Sequence, residues 1–396
     1  MSSPFAEKAI EEAQQVGKAI LKFISANDCG LTGSHQAGFY LPKAAWELYA
    51  PFPPEKGKLE KSKVTISWQG GERTTDSVVT WYGQKTRFEY RLTSFGKGFP
   101  YLVDDSVGDL LVLIPQDLHN FIAYVIDLPE DIEDIQAALG VEAIGTWAVY
   151  DSTKEQAPVS AEDCIDEQFR VFALNLEVFP TGQLFSERTR DAMLHCVSDF
   201  AKRSSDDRLM DLMKAEYRLF RMVERQICLP EVRRLFKDID DFLKTAATLM
   251  NRRKSRAGRS MEHHVEYLLK DAQIPFDVRP QIQGEPDIVI PGKEAYDNPR
   301  FPREKLFAVG VKTTCKDRWR QVTQEAPRVE WKHLITIQEG VSAKQLKQMH
   351  DQKVTLVVPQ KLHSRYPQVK GIHLMNMEGF VKTVRKTMAE LNSGRS

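Results

Sequence analysis

Hydrophobic and polar positions change texture several times along the chain. Residues 5–25 place Ile10, Ala13, Gly17, Ile20 and Ile24 near helical spacing and predict an amphipathic helix. From about 36 to 150, β-rich runs (AGFYLP, KVTISW, SVVTWYG, FEYRLTSF, DLLVLIP, NFIAYVID, TWAVYD) alternate with Gly, Pro, Asp and Lys turns. Short strands at that spacing predict a barrel or sandwich. Residues 152–168 are polar, acidic and interrupted by Pro158, and they read as a linker or solvated boundary. From about 184 the pattern is helical, in SERTRDAMLHCVSDFAKR, DLMKAEYRLFRMVERQ and DDFLKTAATLM. Between about 255 and 392 it alternates: helix GRSMEHHVEYLLKDA, strands PDIVIP and KLFAVGVKTT, a helical patch, strand HLITIQ, helix SAKQLKQMHD, strand VTLVVP and a terminal helix. That order predicts an α/β sheet with helical cover.

Composition narrows the class. A chain of 396 residues holds two or three domains at about 100–200 residues each. With 42% hydrophobic and 28% charged residues, wholesale disorder is excluded. Fifty-five Lys and Arg balance 55 Asp and Glu, so net charge points to no partner. Locally it is uneven: residues 127–167 hold twelve acids against one Lys, and NRRKSRAGRS at 251–260 holds five basic residues and no acid. A neutral total can hide a basic working surface. Cys29, Cys164, Cys196, Cys228 and Cys315 form no CxxC pair and read as reduced thiols. The start, MSSPFAEKAIEEAQQ, has no signal-peptide apolar run. The longest apolar run, LLVLIP, falls well short of the about 20 residues a spanning helix needs. No membrane partner is expected.

The chemistry concentrates in Pro286-Asp287, VGVKTTCKDRWR at 309–320, and Glu325. Asp287 opens an apolar strand and Lys312 ends another. Metal-dependent phosphodiester cleavage needs an oxygen cage for Mg²⁺ and a cation near the attacking water, which two carboxylates and a Lys supply. The usual PD…(D/E)xK pattern has an acid two residues before the Lys. Here that position is Gly310. A helix after the strand could return Glu325 to the site from thirteen residues downstream. Strand-end acids and lysines are also commonly just solvated.

The runs NRRKSRAGRSMEHHVEYLL, AVGVKTTCKDRWRQVTQEA and ITIQEGVSAKQ resemble the catalytic domain of the EcoRII restriction endonuclease family. SANDCGLTGSHQAGFYLP and KTRFEYRLT at 85–93 resemble that family's N-terminal effector domain. The resemblance implies a displaced second acid, so that Asp287, Lys312 and Glu325 form the catalytic centre, Asp287 and Glu325 bind Mg²⁺, and Glu262 is an outer acid. The alternative for Glu262 is a surface helix acid paired with Arg259 or with the neighbours of Glu266. The implied architecture is an N-terminal DNA-binding β pseudobarrel (1–155), a linker (156–185) and a C-terminal restriction-endonuclease-like α/β domain with helical cover (186–396).

Lys316, Asp317 and Arg318 directly follow the catalytic stretch. Arg and Lys suit guanine O6 and N7, and Asp suits cytosine N4. In the family the matching triplet reads the CC/GG half-site; a solvated helix turn is the alternative. The family flips its central base pair onto aromatic and Arg side chains. Tyr217 matches the aromatic, with plain helix core as the alternative, and Met213 replaces the Arg. In the effector domain Lys85, Arg87, Glu89 and Arg91 alternate, so period two puts them on one strand face. His35 and Tyr40 lie in the other matching arm, and Tyr90 stands where the family has a Lys. A charged edge strand is the alternative reading.

The resemblance further implies a Type II deoxyribonuclease of the bacterial cytoplasm, acting on double-stranded DNA. Its site would be CC-x-GG, with a second copy bound by the effector domain. A homodimer and a cognate cytosine methyltransferase in the same system are expected. The acidic 127–167 stretch and a cleft bearing Lys312, Lys316, Arg318 and Arg320 carry charges suited to holding the cleft closed until DNA binds. The competing class is a non-catalytic DNA-binding regulator built on the same domains. The adjacent His263 and His264, and His195 with Cys196, lack metal-ligand spacing. No Gly-rich phosphate loop or Pro-Cys methyltransferase motif is present.

Overall fold

The computed structural model of the chain describes residues 3–31, 37–84, 88–141, 147–153, 163–316 and 318–393. Its elements begin with α1 (Pro4–Val16), β1 (Lys18–Phe23), β2 (Phe39–Leu41), β3 (Leu59–Trp68), β4 (Arg73–Tyr82), β5 (Glu89–Thr93), β6 (Leu110–Pro115), β7 (Asn120–Ile126), α2 (Pro129–Leu139) and β8 (Trp147–Asp151). They continue with α3 (Asp163–Leu174), α4 (Gly182–Cys196), α5 (Ser205–Arg233), α6 (Ile239–Asp271), β9 (Asp277–Val278), β10 (Ile288–Ile290), α7 (Lys293–Asp297), β11 (Phe307–Val311), α8 (Trp319–Gln324), β12 (Lys332–Ile335), α9 (Ala343–Asp351), β13 (Val354–Val357) and α10 (Met377–Ser393). The chain divides into two units. One comprises Met1–Glu155 with Glu339–Lys347 and Ser364–Ile372, and the other comprises Gln156–Gln338, Gln348–His363 and His373–Ser396.

In the first unit eight strands run in the order β2-β5-β4-β3-β7-β6-β1-β8. All neighbours are antiparallel except β3 and β7. The run DLLVLIP is apolar throughout because β6 is covered on both faces. Leu110, Val112 and Ile114 pack with Ala6, Ala9 and Ala13 of α1 and Ile132 and Ile135 of α2. Leu111 and Leu113 join the opposite core around Trp68, Trp81 and Tyr90. The helix expected over 5–25 stops at Val16. Gly17 takes the left-handed conformation (φ 78°) that ends a helix without Cβ strain. Residues 18–23 then form β1 between β6 and β8. Their side chains serve both cores, Ile20 one and Leu21 the other. Sheet pairing outweighs the helical spacing of Ile20 and Ile24.

In the second unit β11, β12 and β13 are parallel, and β10 and β9 extend the sheet antiparallel, in the order β13-β12-β11-β10-β9. The helices share a core that includes Phe185, Phe200, Leu219, Phe220 and Val223. The expected linker, 156–185, includes α3 and the start of α4. Ile165, Phe169 and Ala173 of α3 are buried in that core, so α3 is a packed element. Cys164 and Cys196 form a disulfide, with Cα atoms 5.7 Å apart. This corrects the expectation of five reduced thiols: packing of α3 on α4 brings together two cysteines 32 residues apart. The expected helices at DDFLKTAATLM and GRSMEHHVEYLLKDA merge into one 33-residue helix, α6. The basic run between them is largely consumed inside the unit. Arg253 pairs with Glu224, Arg252 lies over Phe179, and Arg256 is buried over Tyr217 and Phe220. Among the described residues no helix is long and apolar enough to cross a membrane.

Candidate active site

Strand pairing brings the acidic and basic candidates of the second unit together. β10 and β11 are antiparallel, with Ile288 opposite Val309, so Asp287 at the start of β10 lies beside the end of β11. The Asp287 carboxylate accepts the Val311 N–H at 2.7 Å and the Lys312 Nζ at 2.8 and 3.2 Å. The Lys312 N–H donates to the Ile335 carbonyl at 3.0 Å, extending the parallel β11–β12 pairing by one rung. A strand end fixed on both sides therefore holds Lys312.

Gly310 explains why the second acid comes from elsewhere. A Cβ at this position would sit 2.7 Å from Cγ2 of Val322 on α8, so an acidic side chain has no room. The tight approach seats α8 against the sheet and delivers Glu325 at its C-terminal end. On the other side Gly284 adopts φ +83°, and a Cβ there would lie 2.6 Å from the Glu325 Cα. The Ala326 N–H donates to the Gln283 carbonyl at 3.0 Å, pinning the same corner. Gly284 was not singled out in the sequence, although a glycine just ahead of Pro286-Asp287 is its visible trace.

Glu325 is buried, and among the described residues its Oε2 has no hydrogen-bond partner. Burial first, then the Asp287 charge, pushes its carboxyl up to about 7, against the opposing pull of Lys312 and Lys332. Lys332, also unflagged, is buried at the start of β12 and donates to the Val329 carbonyl at 2.9 Å. A lysine at a strand end reads from sequence as solvated, which hid it. Burial lowers its pKa, partly offset by Glu325.

Glu262, on α6, joins the same electrostatic neighbourhood. Burial raises its pKa, Arg279 opposes that, and Asp287 adds to it. Its ion-pair partner is Arg279, and not the Arg259 considered from sequence. Arg279 is placed by its own N–H, which donates to the Asp287 carbonyl at 2.8 Å.

The loop after Lys312 is tied down by β12 and its continuation. Thr336 Oγ1 donates to the Thr313 carbonyl at 3.2 Å, and the Cys315 N–H donates to Gln338 Oε1 at 3.0 Å. Gln338 in turn donates its N–H to Thr336 Oγ1 at 3.1 Å. Sequence reasoning missed Gln338, which is buried. Lys316 and Arg318 are half-buried on this loop, and Trp319 is buried, in line with a packing role. Asp317 lies outside the described residues.

Tyr217 is half-buried on α5 with the Arg256 guanidinium 5.1 Å from its ring centre. Met213 is fully buried between α5 and α6, with Ser260 Oγ 3.5 Å from its sulfur, so it is not placed to stack on a base. His263 and His264 converge on one buried cluster: His264 Nε2 is 2.9 Å from Glu216 Oε2, and Ser186 Oγ is 2.6 Å from that oxygen and 3.3 Å from His263 Nδ1.

In the first unit Tyr40 and Arg91 are cross-strand partners on β2 and β5. Arg91 is buried and donates to Glu89 Oε1 at 2.9 Å. β5 lies between β2 and β4, which rules out the edge-strand alternative. Tyr90 faces the opposite side, is fully buried, and donates its hydroxyl to the Phe52 carbonyl at 2.7 Å. Its side chain belongs to the core. His35, Lys85 and Arg87 lie outside the described residues.

Two buried carboxylates, of which Asp287 raises the proton affinity of Glu325 and Glu325 has an orphaned oxygen, suit a hard divalent cation. Among the described residues no three His, Cys, Asp or Glu side chains close on one point.

Residues 220–381 match the family described as EcoRII C terminal, and residues 14–150 match the N-terminal domain of restriction endonuclease EcoRII. The Type II restriction enzyme EcoRII of Escherichia coli is 30% identical over 395 residues, covering 94% of this chain and 95% of that one. The Type II restriction enzyme SsoII of Shigella sonnei is 28% identical over 117 residues, covering 26% of this chain and 37% of that one. Two solved structures are similar at lower likeness. Metal-depleted Ecl18kI with uncleaved DNA has a TM-score of 0.44 and 18% identity, covering 59% of this chain and 87% of that one. A PspGI–substrate DNA complex has a TM-score of 0.43 and 12% identity, covering 54% and 94%.

Proposed function

Because the chain belongs to the EcoRII family of Type II restriction endonucleases, and is therefore a site-specific deoxyribonuclease, we propose that Asp287, Lys312 and Glu325 carry out Mg²⁺-dependent hydrolysis of double-stranded DNA. The observation that carries this reading is the orphaned Glu325 carboxylate oxygen beside the Asp287–Lys312 pair. Asp287 and Glu325 would hold the cation, which supplies Lewis-acid polarisation of the scissile phosphate. Lys312, held by Asp287, orients the attacking water and stabilises charge developing on the phosphorus oxygens. Glu262 acts as the outer acid, kept in place by Arg279. Burial of the cluster strengthens each of these interactions.

Lys316, Asp317 and Arg318 read a CC-x-GG frame, and Tyr217 faces the central pair. The cut falls before the first C and leaves a five-base 5′ overhang. Residues 1–155 form the effector domain and bind a second site copy through His35, Tyr40, Lys85, Arg87, Glu89 and Arg91. Residues 156–185 connect it to the catalytic domain, 186–396, although any truncation should start ahead of α3. Two copies of the chain act on one palindrome, each serving one strand, and a cytosine methyltransferase protects the host. Digestion of unmethylated DNA with and without Mg²⁺, followed by sequencing of the ends, tests site, overhang and metal together. Adding a second cognate duplex in trans should stimulate the full chain on a single-site substrate. Sequence-specific binding with no cleavage at any Mg²⁺ concentration would favour the non-catalytic regulator instead.

A further inference from the structure

In the first unit Lys22, near the end of β1, and Asp28, in the turn that follows, form an ion pair that is 1% and 0% exposed. A core alone does not call for such a pair, since apolar side chains of similar volume often hold a fold as well or better. The carboxylate is spent on holding the chain. Its Oδ2 accepts the Ser25 N–H at 2.9 Å and the Ser25 hydroxyl at 2.7 Å beside the Lys22 ammonium, and its Oδ1 accepts the Tyr40 N–H at 2.9 Å. The Asp28 carbonyl accepts the Gly38 N–H at 2.8 Å. Asp28 thus grips the start of β2 at two places, next to the bridge between Cys29 and Ala37.

The gripped stretch carries one side of the face assigned above to a second site copy. Tyr40 is half-buried and stands opposite Arg91, and its hydroxyl lies within the influence of both Glu89 and Arg91. Arg91 reaches Glu89 with Nε at 2.9 Å and the Gly38 carbonyl with Nη1 at 3.4 Å. Gly38 approaches β5 so closely that a Cβ there would sit 2.7 Å from Thr93 Cγ2. Lys22 and Asp28 are too deeply buried to meet a ligand, so they act through these neighbours. Groups that read a base edge must be held within about 0.5 Å of their working geometry by supporting hydrogen bonds. We propose that Asp28, with Lys22 as its counter-ion, is a positioning residue for DNA reading by the Tyr40–Glu89–Arg91 face. The inference rests on the effector-site reading above and adds what sets that face. A carboxylate has two oxygens, and here they tie Ser25 after β1 to Tyr40 on β2, fixing the span between them.

The test uses the full chain on a single-site substrate, with cleavage followed as cognate duplex, or duplex altered at one base pair, is added in trans. The wild type should be half-stimulated by less cognate duplex than altered duplex. Lys22→Met with Asp28→Leu keeps the space filled and strips the Tyr40 N–H of its acceptor. This apolar pair should melt near the wild-type temperature. It should need about tenfold more cognate duplex for half-stimulation, the order of a buried hydrogen bond left unmade, and lose most of its preference over the altered duplex. Lys22→Met with Asp28→Asn retains an oxygen for Tyr40, and this amide pair should stay within about twofold of the wild type in both respects. A merely structural ion pair would make the two pairs behave alike. Should the apolar pair not fold, Lys22→Met with Asp28→Ser takes its place, because the serine oxygen stops one bond short of Tyr40. A folded apolar or serine pair with wild-type half-stimulation and preference, or an equal loss in the amide pair, overturns the inference and leaves the effector-site reading standing. A wild-type chain that no duplex stimulates overturns that reading itself.

Discussion

Two clusters of charged side chains sit at strands, one in each unit, and they are solved in opposite ways. On β5, Arg91 and Glu89 neutralise each other at 2.9 Å, and the pair is complete without a ligand. At the end of β10 and β11, Lys312 neutralises Asp287, but Glu325 is left buried with an orphaned oxygen and a carboxyl raised to about 7. A closed pair can be read as structure or as a binding face. A buried, incompletely satisfied carboxylate beside another is costly unless a cation completes it. The contrast teaches that the degree of electrostatic completion, more than the number of charges, distinguishes a cluster poised for a cation from one that is finished as structure.

The sharpest way to break that contrast is to remove the lysine. Lys312→Ala should lower the single-turnover cleavage rate by about a thousandfold or more while specific duplex binding is nearly kept, because the cation serves the transition state. Asp287→Ala should do the same and also weaken Mg²⁺ binding. Wild-type rates in Lys312→Ala would remove it from the mechanism.

The raised Glu325 carboxyl gives a pH signature. Cleavage at fixed Mg²⁺ should rise with pH through about 7 as the carboxylate ionises, and Glu325→Gln should be inactive throughout. Its folded pKa lies above the ordinary 4.5, so the metal-free folded state holds the proton more tightly than the unfolded chain. The associated stability is complete below 4.5 and lost as pH rises to about 7, roughly 3 kcal/mol in all. Metal-free Tm should therefore fall across that window more steeply in the wild type than in Glu325→Gln, which keeps the raised Glu262 carboxyl. Mg²⁺ should raise the wild-type Tm more at pH 8 than at pH 5. A pH-independent metal-free Tm would show that the carboxyl is not raised.

Gln338 separates positioning from chemistry. Gln338→Met removes the acceptor of the Cys315 N–H and keeps the bulk, a loss of about 1–3 kcal/mol for a buried donor left unmade. The expected readout is a lower ratio of cleavage on the cognate site to cleavage on a single-base variant, with Gln338→Glu restoring it. An equal loss on both sites would mean that the loop does not set readout.

The smallest effect belongs to the closed pair. Arg91→Ala should lower the stability of the first unit by about 1–2 kcal/mol, since Glu89 loses its partner. Stimulation by added duplex should fall with it, and the unstimulated cleavage rate should not. A change in the unstimulated rate would show that the two clusters are not independent.

Much of this was legible in the amino-acid order. The seven β-rich runs each contain a strand, because period-two patterning and turn residues are local signals. Pro286-Asp287, Lys312 and Glu325 were visible as residues, and the helical patch that returns Glu325 forms α8. What stayed hidden depends on contacts across long separations: Arg279 on Glu262, Lys332 beside Glu325, Gln338 on Cys315, and the Cys164–Cys196 bond.

By itself the sequence determined the succession of elements, the membership of the family and the thirteen-residue step from Lys312 to Glu325. Tertiary structure decided the rest. It ended α1 at Gly17 so that β1 could be paired on both sides, and joined two expected helices into α6. It drew Glu339–Lys347 and Ser364–Ile372 into the first unit. It closed the space above Gly310 with Val322 and left one oxygen of Glu325 without a partner. Propensity and spacing act over a few residues and can be read along the chain, whereas burial, pairing and the protonation they impose arise only when distant segments exclude water from one another.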